Sequence, residues 1–250
     1  MENEFKFDQK MLGQFIGGAK TNVDIVFVID VTGSMTPVIE TVKSFALSFH
    51  QKVIEGLKKA NKSIQQMRVK VIAFRDYYCD GDMSMEESDF FYLPDESEEF
   101  RSFIGNMKAT GGGDIPESGL EALALAMRSD WVQEGTSKRH VIVLFTDAPA
   151  HPLEKQKEGI PVNYPSDMFR SFNELMESWG IGQGSLGNTN TKFRMDKNAR
   201  RLVLFAPEEE PWTEIQEYFE QCIMKPIEPD QGGMELDSEI VINTIAKSIK

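Results

Sequence analysis

The sequence predicts an α/β fold built on a mostly parallel central sheet with helices on both faces. Two observations predict it. Three apolar runs rich in β-branched residues, VDIVFVID (23–30), MRVKVIAFRD (67–76) and HVIVLFTD (140–147), each finish on an aspartate. Runs of this kind suit strands buried on both faces of a parallel sheet. Segments with apolar residues at helical spacing lie between and after them, so strands alternate with helices, the pattern of βαβ units with right-handed crossovers.

Residues 23–30 make the first central strand. Thr36-Pro37 then opens a helix of about twenty residues, with Pro37 in its first turn and Val38, Val42, Phe45, Phe49, Val53, Ile54 and Leu57 recurring at helical spacing. The second strand, 67–76, leads into YYCDGDMSMEES (77–88), read as a loop, and DFFYLP (89–94) is a shorter strand that Pro94 ends. Residues 95–107 form a short helix capped by Asp95 or Ser97, with Phe100, Phe103 and Ile104 facing inward. After three glycines and Asp114, Ile115-Pro116-Glu117 begins a helix carrying Leu120, Leu123, Ala124 and Met127. The third central strand, 140–147, precedes an amphipathic helix over 165–179 and a loop over 180–191. A buried strand at 201–207, a helix over 211–222 and a short strand near 222–227 follow. The C-terminal helix, 237–249, places Ile240, Ile242, Ile245 and Ile249 on or near its apolar stripe.

A chain of 250 residues suits one large domain, taken as residues 21–250 behind an N-terminal extension over 1–20. The formal net charge of -13 repels nucleic-acid backbones and anionic membranes and favours cations and basic patches. Cys79 and Cys222 are too few and too distant for a disulfide framework, so a reducing compartment is expected. The N-terminus is acidic and lacks the pattern of a secretory signal, and no stretch approaches the roughly 18 apolar residues of a membrane span. A cytoplasmic location is the expectation.

In an open parallel sheet, ligands bind beyond the carboxyl ends of the strands, where the strand order reverses. Asp30, Asp76 and Asp147 end three such strands and so can meet on one edge. Asp30 also begins Asp-x-Thr-x-Ser, with Thr32 and Ser34 placing hydroxyls two and four residues on in a turn that Gly33 allows. Hard oxygen donors in this arrangement suit Mg²⁺, Ca²⁺ or Mn²⁺. The plainer reading of the pentapeptide is a strand end followed by a helix cap. Two further segments favour the ligand reading: Thr110-Gly-Gly-Gly-Asp114-Ile-Pro-Glu117 before a helix, and Phe145-Thr146-Asp147-Ala148-Pro149 after a strand.

With these three parts in order, the sequence resembles the von Willebrand factor type A (vWA) family and its metal-ion-dependent adhesion site, over about residues 20–250. The resemblance implies a Rossmann-like, doubly wound fold. It implies metal ligation by Asp30, Thr32, Ser34 and Asp147, with Thr110 first and Asp114 second as the middle ligand. It further implies one divalent cation, Mg²⁺ before Mn²⁺ or Ca²⁺, completed by a Glu or Asp of a partner protein. Ala73-Phe74-Arg75-Asp76-Tyr77 and the Thr110–Glu117 stretch look like an intracellular branch that includes vWA domains found beside α-kinase modules. On that likeness Arg75 and Asp76 border the metal site, and His151, just beyond the Asp147 loop, is a further rim candidate.

No histidine pair has zinc-ligand spacing, neither cysteine has an activating setting, and the glycine run lacks the Gly-Lys-Ser/Thr ending of a phosphate loop. No catalytic constellation is identified. A metal-assisted phosphohydrolase using Asp30 stays as one alternative, and a scaffold with a vestigial site as another.

Overall fold

The computed structural model describes residues 20–46, 49–58, 63–113, 115–155, 159–181 and 195–249. Within them the chain runs β1 (Lys20–Asp30), α1 (Thr36–Ala46), α2 (Phe49–Lys58), β2 (Ser63–Phe74), β3 (Met85–Glu87), β4 (Phe91–Leu93) and α3 (Ser97–Asn106). It continues with α4 (Gly119–Met127), β5 (Lys138–Phe145), α5 (Phe172–Trp179), β6 (Arg200–Ala206), α6 (Trp212–Tyr218), β7 (Cys222–Pro226) and α7 (Ser238–Ile249). Residues 1–19 of the expected extension, Asp114 and residues 182–191 of the expected loop lie outside the described residues, and Lys20 already opens β1.

The strands form one sheet in the order β3-β2-β1-β5-β6-β7, with β4 also paired to β2. The central neighbours β2-β1-β5-β6-β7 are all parallel, and only the short β3 and β4 run antiparallel. From β1 the chain first adds β2 on one side and later β5 on the other, so the strand order reverses at β1/β5. This is where a ligand crevice opens in such sheets. Asp30 pairs with Phe74 and Ile29 with Phe145, so β1, β2 and β5 end level with one another.

Every residue of β1 after Lys20 is buried, and the period-two alternation divides them between two cores. Ile25, Phe27 and Ile29 pack with Val42, Phe49, Phe100 and Ile245, from α1, α2, α3 and α7. Val26 and Val28 pack on the other face with Leu123, Leu175 and Ile215, from α4, α5 and α6. Each fully buried aliphatic or aromatic side chain stabilises by about 1.5–3 kcal/mol. The sheet is thereby a rigid platform. Among the described residues, no helix is long and apolar enough to cross a membrane.

Several local expectations change. The expected long helix is described as α1 and α2, with residues 47–48 outside the description. The 77–88 segment contains β3, which pairs with the end of β2. Helix α3 takes Glu96 as its N-cap, without a side-chain cap bond, while the Ser97 hydroxyl donates to the Pro94 carbonyl (2.6 Å). Helix α4 starts at Gly119 because Glu117 and Ser118 are tied sideways. Their amides donate to the Pro149 and Arg75 carbonyls, and Glu117 accepts from the His151 amide. Helix α5 starts at Phe172, where the Ser171 hydroxyl accepts from the Glu174 amide. In α7 the inward stripe is Val241, Ile242, Ile245 and Ile249, and Ile240 is exposed on the other side.

Candidate functional site

The loop after β1 crosses the switch point as a single 3-10 turn, Gly33–Met35. Thr32 precedes that turn but does not cap it. Its amide (2.9 Å) and its hydroxyl (2.6 Å) both donate to Asp30 Oδ1. Asp30 Oδ2 accepts from the hydroxyl of Thr146, the residue following β5 (2.8 Å). Ser34 is exposed, and its hydroxyl donates to Asp147 Oδ1 (3.0 Å), while Asp147 Oδ2 accepts from the Gly232 amide (2.7 Å). Asp30, Thr32, Ser34 and Asp147, separated by more than a hundred residues of chain, therefore meet in one cluster.

The electrostatics are unusual for a protein interior. Asp30 is fully buried and Asp147 nearly so, yet the hydrogen-bond donors to both are neutral hydroxyls and amides. Burial pushes the Asp30 carboxyl up to about 6, and the donors from Thr32 and Thr146 offset only part of that while the charge of Asp147 adds to it. Asp147 is also raised, first by burial, with nearby Asp230 adding to the effect. Two buried carboxylates with no cationic side chain bonded to them among the described residues, edged by hydroxyl oxygens, amount to a set of hard oxygen donors. Among the described residues no group of three or more His, Cys, Asp or Glu side chains is gathered for metal binding, so hydroxyls would have to supply the remaining donors.

Thr110 sits beside this cluster on a neighbouring loop. Its amide donates to the Val31 carbonyl (2.9 Å), and the Gly111 carbonyl accepts from the Gly33 amide (3.3 Å). Arg75 grips that loop through the carbonyls of Thr110 (2.6 Å) and Lys108 (3.3 Å), also reaching the Met83 carbonyl (2.8 Å) and, at 3.5 Å, the Thr110 hydroxyl. Asp80 completes the grip by accepting from the amides of Gly112 (3.2 Å) and Asp76 (3.1 Å). Asp114, the second choice for the middle ligand, lies outside the described residues.

Asp76 ends at the same edge but faces a different nest. Its Oδ1 accepts from the Tyr78 amide (3.1 Å) and the Ser118 hydroxyl (3.3 Å), and lies 3.3 Å from His151 Nε2. Burial alone would raise the Asp76 pKa; the bonds from His151, the Tyr78 amide and the Cys79 thiol outweigh it and hold the group below the usual carboxylate range. His151 also packs on the Tyr78 ring, with centroids 4.8 Å apart. Next to this nest, buried Glu121 pairs with Lys155 (3.0 Å) and accepts from the Tyr164 hydroxyl (3.0 Å).

Sequence reasoning missed Thr146 and Gly232 as partners of the two carboxylates, and Asp80 as a loop anchor. The signal for Gly232 was present in its pairing with Gly233. Both have positive φ, and a Cβ at Gly232 would overlap the Ser34 carbonyl, so only glycine lets this loop reach the site.

Comparison with known proteins agrees with this architecture. The chain is 30% identical over 132 residues to the α-protein kinase vwkA of Dictyostelium discoideum, covering 53% of this chain and 19% of that protein. It is 28% identical over 137 residues to a putative ariadne-like RING finger protein, R811, of Acanthamoeba polyphaga mimivirus, covering 55% of this chain and 12% of that protein. The match thus spans under a fifth of the length of either relative. Among solved structures, the pilus adhesin SpaC of Lactobacillus rhamnosus GG superposes with a TM-score of 0.50 at 13% identity, over 93% of this chain and 31% of that one, a likeness of fold. Residues 24–161, more than half of the chain, match the family described as von Willebrand factor A domain, and the chain belongs to that family.

Proposed function

We propose that this chain is a protein-interaction module that takes one divalent cation at the Asp30/Asp147 cluster, with an Asp or Glu of a partner protein completing the shell. Membership of the von Willebrand factor A family supports an interaction module in general. The observation that carries the finer reading is the pair of buried carboxylates whose donors are all neutral. Buried charge is ordinarily paired or bound to metal.

Asp30, Thr32, Ser34 and Asp147 would hold the ion, with Thr110 or Asp114 as the middle ligand. Mg²⁺ is the first choice for these hard oxygens, with Mn²⁺ and Ca²⁺ as substitutes. When bound, the cation supplies positive charge that a partner carboxylate can reach. The protein's own part is to hold the donors on rigid strand ends and to keep Thr110 in place through Arg75 and Asp80. Asp76 and His151 would border the site through their own nest.

We read the module as one without a catalytic role, since both Asp30 oxygens accept hydrogen bonds from Thr32 and Thr146 and, among the described residues, no activated nucleophile is bonded to them. The similarity to the α-protein kinase over about half of the chain supports grouping it with kinase-associated domains of the family. That Cys79 and Cys222 form no disulfide supports a cytoplasmic setting. Calorimetric titration with MgCl₂ and MnCl₂ tests the proposal. One ion per chain should bind to the wild type and none to Asp30→Ala or Asp147→Ala, with circular dichroism showing both variants folded. Undiminished binding in either folded variant would count against it.

A further inference from the structure

We infer that the loops around the carboxyl edge of the sheet form a docking surface for a protein segment presenting one Asp or Glu flanked by apolar and basic residues. This inference rests on the metal reading above and adds the chemistry of the partner. Six of the nine exposed large hydrophobic residues among the described residues, Tyr78, Met83, Ile115, Ile160, Val162 and Met234, lie on loops at this edge. Soluble proteins seldom leave such residues gathered without an interaction to make.

Each of these loops is tied to the site or to a neighbour that is. Met234 stands two residues beyond Gly232, whose amide holds Asp147. Ile115 follows the Gly111–Gly113 loop, which bonds the Gly33 amide. The Met83 carbonyl is held by Arg75, the residue that also grips Thr110. Ile160 and Val162 lie just before Asn163, whose side-chain amide bonds Gly81 and Ser84 and seats this loop against the turn that carries Met83. Tyr78 packs on His151.

Charge decides what covers this surface. Beside Met234, a concavity of about 340 Å³ is lined by Glu208, Glu209, Glu228 and Glu235. Asp82 and Asp230 are also exposed nearby, on a chain of formal charge -13. A generally acidic partner is therefore repelled, and a single carboxylate is tolerated only where the cation stands. The residues around that carboxylate must match the apolar loops, and a Lys or Arg matches the glutamate-lined concavity.

A random peptide library displayed on phage, selected on the full chain in Mg²⁺ and in EDTA, tests this. Peptides enriched in Mg²⁺ should carry one Asp or Glu with aliphatic or aromatic neighbours and a Lys or Arg. A synthetic copy should bind about tenfold more weakly to Val162→Ser/Met234→Ser. Glu228→Gln/Glu235→Gln should lose about fivefold of the preference for Lys over Ala in the peptide. Neither double variant touches a proposed ligand, so calorimetric Mg²⁺ binding should be unchanged in both. No enrichment, acidic peptides without the flanking pattern, or affinities that neither variant moves would overturn the docking surface while leaving Mg²⁺ binding intact. Absence of Mg²⁺ heat, with peptide binding equal in EDTA, would overturn the metal reading underneath.

Discussion

Strand β1 carries two buried carboxylates six residues apart, and the protein treats them in opposite ways. Asp24, 1% exposed, receives both Arg68 Nε (2.9 Å) and a terminal Arg68 nitrogen (2.6 Å), and its second oxygen also accepts from the Val132 amide (2.6 Å). Phe90 lies under the same guanidinium, 4.5 Å from its centre. The charge at Asp24 is thus neutralised by the chain itself. Asp30 is equally buried, but its partners are Thr32 and Thr146, and the charge of a second carboxylate, Asp147, acts against it. One end of the strand is electrostatically complete, while at the other the buried charge has no cationic partner among the described residues.

The largest expected difference comes from breaking the complete end. Arg68→Ala should cost about 3–5 kcal/mol in urea denaturation, since it strands a buried carboxylate. Asp30→Asn in chelator should instead be neutral or mildly stabilising, because it removes an uncompensated charge. A comparable loss in both variants would erase the contrast.

Next in size is the pH dependence. The Asp30 carboxyl, pushed up to about 6 in the folded chain, keeps its proton between pH 4 and 6 where the unfolded chain has lost it. The contribution of this group to metal-free stability is therefore greatest below about pH 4 and falls as pH rises to about 6, by up to about 3 kcal/mol. Asp147, raised in the same direction, adds to the fall. Thermal melts in EDTA should show the decline, and saturating Mg²⁺ should remove it. A stability that rises over this interval in EDTA, with no response to Mg²⁺, would break the account.

Gly232→Ala probes the loop that reaches the open end. Its φ of +59° and the overlap of a Cβ with the Ser34 carbonyl predict a loss of about 1–3 kcal/mol, with weakened Mn²⁺ binding. Ser34→Ala should give the smallest stability change, within about 0.5 kcal/mol, because the side chain is exposed. It should nonetheless weaken Mn²⁺ binding in calorimetry, and unaltered binding would remove Ser34 from the donor set.

The contrast along β1 also explains what the sequence disclosed. The central strands were legible because a buried parallel strand shows as an unbroken apolar run, and their terminal aspartates marked the edge where the site forms. Asp24 and Arg68 interrupt two of those runs, and they stand opposite each other in register, so their pairing could have been read as a buried ion pair. The start of α4 was misplaced because Glu117 and Ser118 bond sideways to residues 75, 149 and 151, contacts with no local signature. Strand β3 escaped notice because three residues make a strand only through a partner. Thr146 and Gly232 meet the carboxylates through tertiary register, which single-chain periodicity does not encode.

The most direct test of the central claim is a Mn²⁺ titration of the wild type, Asp30→Asn and Arg68→Met, with the fold of each checked by circular dichroism. The account predicts one ion per wild-type chain, none for Asp30→Asn, and one for Arg68→Met wherever that variant remains folded. Binding that survives Asp30→Asn, or a folded wild type that takes up no Mn²⁺ or Mg²⁺, would contradict it.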